Sequence, residues 1–134
     1  MQHIYIAGPM RGIPAFNFPA FNRCEDHLRE RYPRSHIFNP AARDTALGYE
    51  FSHCTGDEDL AALGFDLPAA MRDDLAYIIN EATDMVMLPG WQRSTGATHE
   101  KATADLIGVR VWYWYPSTVH GAMLTATPTY HPVA

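Results

Sequence analysis

The stretch His3-Ile4-Tyr5-Ile6-Ala7-Gly8-Pro9-Met10-Arg11-Gly12 begins as a β-branched and aromatic run and ends abruptly at a glycine and a proline. It reads as a short buried strand that delivers a loop. Met85-Val86-Met87-Leu88 repeats the arrangement: it is continuously apolar, as in a parallel strand covered on both faces, and is closed by Pro89-Gly90. Two more strands fit beside these. His36-Ile37-Phe38 stands before Asn39-Pro40, where proline pushes its predecessor out of helical space, and Val109-Arg110-Val111-Trp112-Tyr113 follows Gly108.

Helical patterns separate the strands. Asn17 is placed to cap a helix over 17–32, with Pro19 in its first turn and Phe18, Phe21, Cys24 or Glu25, and Leu28 at helical spacing. Asp66 can cap a second helix over 67–82, whose apolar stripe is Met71, Leu75, Ile78, Ile79 and Ala82. Ser94 or Thr95 can cap a third, which runs through Ala102 and Leu106 to Gly108. Residues 41–66 hold no sustained period and read as a loop with one helical turn; so long a stretch in a small domain is usually functional. Beyond Pro116 the pattern weakens, and Met123-Leu124-Thr125 reads either as an edge strand or as part of a tail lying across a neighbouring subunit.

This alternation is that of an α/β, doubly wound parallel sheet of four or five strands with right-handed crossovers. In the flavodoxin-like or Rossmann-like order 2-1-3-4-5, the strand order reverses between strands 1 and 3, and ligands bind at the carboxyl ends there. That rule selects the loops 8–12 and 89–96, which are also rich in glycine.

A chain of 134 residues makes one domain, 1–134, with its core expected over 2–115 and 116–134 as tail or edge strand. No apolar run approaches the ~20 residues needed to span a bilayer, and Met1-Gln2-His3 before a strand does not resemble a signal peptide, so the cytoplasm is the expected compartment. A net charge of −5 gives no general attraction to a nucleic acid polymer or an acidic membrane, which leaves a small molecule as the expected partner. Cys24 and Cys54 cannot form a disulfide framework, and the histidines show neither His-Glu-x-x-His nor a Cys-x-x-Cys partner, so no metal is expected.

In the first loop, Gly8, Pro9, Met10 and Gly12 surround one cation, Arg11, at the mouth of a strand. Backbone N–H groups and a guanidinium there can bind a phosphate or carboxylate; a tight turn with a solvated arginine would leave the same pattern. The pattern matches neither the dinucleotide fingerprint nor the P-loop. In the second loop, Ser94 is a plain N-cap or an anion ligand at a helix start kept slim by Gly96 and Ala97. Trp91 is the stacking candidate of that loop. Glu100, six residues after Ser94, is either an exposed helix glutamate or a carboxylate that points back along the cleft as a nucleophile. Asp73 and Asp74 precede the apolar end of the second helix and Asp84 precedes the third strand, and most aspartates so placed are caps or solvated charges. In Trp112-Tyr113-Trp114-Tyr115, strand alternation splits the rings between two faces, for core or interface packing.

Tyr5-Ile6-Ala7-Gly8-Pro9-Met10-Arg11-Gly12, Phe38-Asn39-Pro40-Ala41, and Leu88-Pro89-Gly90-Trp91 with Ser94-x-Gly96-Ala97-x-x-Glu100 together resemble the nucleoside 2-deoxyribosyltransferase superfamily over residues 3 to about 111. Within it, the chain is more closely similar to the small phage and bacterial branch. The resemblance implies a flavodoxin-like fold without a cofactor, in which a glutamate attacks the anomeric carbon of a 2-deoxyribonucleoside and expels the base. Glu100 matches that glutamate, Tyr5 a tyrosine beside it, and Asp74 an aspartate that helps the departing base. Asp74 stands ten residues before Asp84, a longer spacing than the family pattern, which leaves Asp73 also in play. Arg11, Gly12 and Ser94 match phosphate-binding positions of the superfamily's nucleotide N-glycosidases, and Asn39, Trp91 and Gly96 complete the expected substrate-binding set. The reaction expected is hydrolysis of a 2′-deoxynucleoside 5′-monophosphate; base transfer between nucleosides, or nucleotide binding without turnover, are the competing readings. The resemblance and the aromatic run at 112–115 together imply a homodimer or larger assembly.

Overall fold

The computed structural model describes residues 1–117 and 121–126. Five strands form one sheet: β1 (His3–Ala7), β2 (His36–Phe38), β3 (Asp84–Met87), β4 (Arg110–Ser117) and β5 (Gly121–Ala126), in the order β2-β1-β3-β4-β5. The first four are parallel, and β5 returns antiparallel on β4 as the edge strand expected around Met123. Residues 118–120 and 127–134, and with them any tail reaching a neighbouring subunit, lie outside the described residues. No helix among the described residues is long and apolar enough to cross a membrane.

The helices are α1 (Phe18–Arg31), α2 (Pro40–Ala46), α3 (Leu67–Asn80) and α4 (Thr95–Ile107). Strand alternation divides the core into two layers. Ile4, Ile6, Val86 and Trp114 pack with Phe21 and Leu28 of α1, whereas Tyr5, Ala7, Met85 and Met87 pack with Ile78 of α3 and Ala97 and Ala104 of α4. β3 is buried at every residue, as its unbroken apolar run requires.

Several caps follow the sequence reading. Asp66 accepts from Ala69 N at 3.0 Å, Ser94 accepts from Ala97 N at 3.1 Å, and Gly108 closes α4 in the left-handed conformation. Others do not. Asn17 caps nothing with its side chain; it has φ 63° and donates from Nδ2 to Pro9 O at 2.8 Å. It ends a left-handed turn with Ala15 and Phe16 that drives the Phe16 ring into the core, a conformation that non-glycine residues adopt only where surrounding packing holds it. The segment 41–66 is also more ordered than one helical turn. α2 starts at Pro40, capped by Asn39, and Phe51 packs against Phe16, Phe18, Tyr49 and Phe65. Two members of the expected α3 stripe, Met71 and Ile79, are exposed, and Ala70 and Tyr77 are buried in their place. Trp114 belongs to the chain's own core, which removes it from the expected contact surface and leaves Tyr115 exposed. Asp84 is neither cap nor solvated charge: it is buried and holds Thr83 Oγ1, Arg110 and Trp112 Nε1.

Candidate active site

The strand order reverses between β1 and β3, so the loops that follow them part and leave a cleft of about 990 Å³. Gly8 lets the first loop cross the end of β3, where a Cβ would stand 2.7 Å from Leu88 Cβ. A second close approach ties this loop to residues 54–58. Gly12 N donates to Gly56 O at 2.9 Å and Ala15 N to Cys54 O at 2.8 Å, while Gly56, at φ +98°, leaves no room for a Cβ beside the Ile13 backbone. Arg11 joins the same clasp, its guanidinium donating to Glu58 O at 2.8 Å and Asp57 O at 3.4 Å.

Tyr5, fully buried on β1, forms the floor, and its hydroxyl donates to Glu100 Oε2. Glu100 therefore points into the cleft from α4 rather than out to solvent. Burial pushes its pKa up to about 8, with the Asp74 charge adding to the rise and the Tyr5 hydrogen bond opposing it. Asp74 reaches the same floor from α3. Burial first, and the neighbouring Asp44 second, raise it to about 7, and its Oδ1 is buried with no hydrogen-bond partner. Tyr5 is raised well above its ordinary value by burial and then by these two carboxylates. Near neutral pH the pair Glu100 and Asp74 thus retains a proton, the arrangement by which two neighbouring carboxyls divide into acid and base. Of the two aspartates, Asp74 lines the cleft and Asp73 does not: Asp73 is bound by Arg43 Nη2 at 2.5 Å.

Gly8, Pro9, Met10, Arg11, Gly12, Ser94 and Gly96 all line the cleft with Tyr5, Asp74 and Glu100. Two residues expected there do not. Asn39 is buried elsewhere: its Oδ1 caps α2 through Ala41 N, and its Nδ2 donates to Asn22 and Glu25 of α1, so it joins helices and does not line the cleft. Trp91 stacks on Tyr113 at 6.0 Å beneath the Lys101 ammonium and borders a separate hollow of about 160 Å³. Conversely, Asp44 and Arg93 line the cleft without having been singled out. Asp44 could have been found from Asn39-Pro40, a cap and first-turn pair that sets position 44 one turn into a helix leaving a strand's carboxyl end. Arg93 sits beside the cap Ser94, and among the described residues its guanidinium has no hydrogen-bond or ion-pair partner. No group of three or more His, Cys, Asp or Glu side chains among the described residues is placed to hold a metal ion.

No curated protein and no solved structure matches the chain. The family model described as a domain of unknown function, DUF4406, matches residues 2–113. That span takes in β1, the clasped first loop, Asp74, the Ser94 turn and Glu100, so fold and cleft fall within it, and the chain belongs to the DUF4406 family.

Proposed function

We propose that the protein is an N-glycosidase that cleaves the base–sugar bond of a 2′-deoxynucleoside 5′-monophosphate. The observation that carries this reading is the trio Tyr5, Glu100 and Asp74, two carboxyl groups of raised pKa about one buried tyrosine hydroxyl, on the floor of a cleft at the sheet's switch point. In the proposed reaction the Glu100 carboxylate forms a bond to the anomeric carbon as the N-glycosidic bond breaks. The bonding pair leaves with the base, and Asp74 supplies the proton that neutralises it. Tyr5 orients Glu100, and its hydrogen bond favours the ionised form against the burial that raises it. Water then bonds to the anomeric carbon as the glycosyl ester bond breaks and gives its proton to the Asp74 carboxylate, which restores both carboxyls and releases the sugar phosphate. The phosphate is assigned to the start of α4, where Ser94, Gly96 and Arg93 meet the helix dipole, while the Arg11 guanidinium stays bound to the carbonyls of Asp57 and Glu58. Incubation with a panel of ribo- and deoxyribonucleosides and their monophosphates, with chromatography for free base, tests it. No release from any member would sink the reading.

One observation favours base transfer between unphosphorylated nucleosides instead: the Arg11 guanidinium is already bound to the carbonyls of Asp57 and Glu58. Adding an acceptor base to the same assay separates the two, because a transferase makes a new nucleoside and a glycosidase does not.

A further inference from the structure

The polar groups of the cleft are sorted by strand. Tyr5 on β1 forms the floor. The wall on the β2 side consists of α2 and α3 and brings Asp44 and Asp74, whereas the wall on the β3 side consists of α4 and its preceding turn and brings Arg93, Ser94 and Glu100. This inference rests on the glycosidase reading, in which the sugar lies between Glu100 and Asp74 and the anion lies at Ser94 and Arg93. The base is then left to the β2-side wall, where Leu67 and Met71 of α3, with Phe51 and Phe65 of the segment that joins α2 to α3, offer apolar surface and Asp44 and Asp74 the polar groups.

Asp44 is 4% exposed. Arg43 Nη1 donates to its Oδ1 at 2.9 Å, and Arg43 is itself anchored by Asp73; Oδ2 has no hydrogen-bond partner among the described residues. Burial raises the Asp44 carboxyl, and the hydrogen bond and charge of Arg43 oppose the rise; ionised against that guanidinium, it is an acceptor. Asp74, raised to about 7 by burial first and by the Asp44 charge second, and with a buried, unpartnered Oδ1, is the carboxyl of this wall that holds a proton at pH 6 and donates. The wall therefore presents an acceptor beside a donor. We propose that Asp44 is a specificity-determining residue, selecting bases whose exocyclic group at purine C6 or pyrimidine C4 is an amino group beside a ring-nitrogen acceptor, adenine and cytosine, over bases with an oxo group in that place. Adenine offers its N6 amino group beside N7, whereas guanine offers O6 and N7, two acceptors, and thymine offers O4. An oxo group facing Asp44 sets two acceptors against each other, the mismatch that sites built on hydrogen bonds reject most strongly.

Free adenine and hypoxanthine are the decisive probes. They differ at C6 by amino against oxo, and neither has a glycosidic bond, so their binding is independent of turnover. By calorimetry at pH 6, the full chain is expected to bind adenine at least about tenfold more tightly than hypoxanthine. In Asp44→Asn, whose amide can donate to an oxo group, the preference should vanish or invert. If that variant does not fold, unsubstituted purine on the wild-type chain decides, since adenine must then bind more tightly than purine and hypoxanthine more weakly. Equal binding of adenine and hypoxanthine, no binding of either at millimolar concentration, a folded Asp44→Asn chain with its preference intact, or a purine order other than the one stated overturns the assignment. Loss of base release with the adenine preference intact would count against the glycosidase reading alone, and base release without a base preference would count against Asp44 alone.

Discussion

Glu58 and Glu100 carry the same side chain and stand at opposite ends of the carboxylate range. Glu58, in the clasp over the first loop, accepts from Thr55 N at 2.8 Å, Gly56 N at 2.8 Å and Thr55 Oγ1 at 3.1 Å, and these donors, the Thr55 backbone first, hold it down at about 2. Glu100 has the Tyr5 hydroxyl and an acidic neighbour, and burial lifts it to about 8. The difference lies in the supply of N–H donors: a loop turns its amides inward to meet an anion, whereas a helix side chain over a strand meets no free amide. One region uses a carboxylate to hold a loop. The other leaves its carboxyls poorly satisfied, as groups kept for a ligand are.

The sharpest way to break this comparison is Glu100→Gln. Base release should fall by at least about a thousandfold while nucleotide affinity stays within about tenfold, because the variant loses the nucleophile and keeps its shape. Turnover near the wild-type rate by a folded Glu100→Gln chain would reduce Glu100 to a structural residue. The next effect concerns the two arginines. Arg93→Ala should weaken binding of a monophosphate by about tenfold and spare the matching nucleoside, whereas Arg11→Ala should weaken both alike and lower the thermal midpoint. Titration calorimetry on the two ligands reads the contrast, and a phosphate-selective loss confined to Arg11→Ala would reverse the assignment.

The pH dependence of stability distinguishes the two regions by sign. Glu100 and Asp74 bind protons more tightly folded than unfolded, so between about pH 4 and pH 8 the native state carries the extra protons and stability declines as pH rises. Asp74→Asn should therefore raise stability by about 2 kcal/mol at pH 8 and change it little at pH 4. Thermal melts across that range measure it, and a variant less stable at pH 8 would mean that the acidic floor is satisfied. For Glu58 the direction is opposite. Its folded pKa is depressed, so its contribution is present above the unfolded value and is lost as pH falls towards 2. Glu58→Gln should lower the thermal midpoint at pH 7 by the smallest margin of the set, and the deficit should disappear near pH 2.

The strands and the caps Asp66, Ser94 and Gly108 were legible in local sequence, because each depends on a periodicity of a few residues or on one residue's backbone preference, and the strand order and the cleft at the loops after β1 and β3 followed from the fold class that these elements spell. The residues that the structure places differently owe it to contacts across the chain. Asn17 looks like a cap until Pro9 O takes its amide, and Asn39 looks like a ligand residue until Asn22 and Glu25 occupy it. Trp91 looks available until Tyr113 stacks beneath it. By itself the sequence determined which residues could do chemistry, since residue type and spacing are local. Tertiary structure alone decided which of them meet: Tyr5 and Glu100 are 95 positions apart, and Asp44 acquires its place beside Asp74 only when α2 and α3 close over the same strand. Charge, burial and hydrogen-bond supply belong to those encounters, so the raised pKa values that mark the floor of the cleft are properties of the fold.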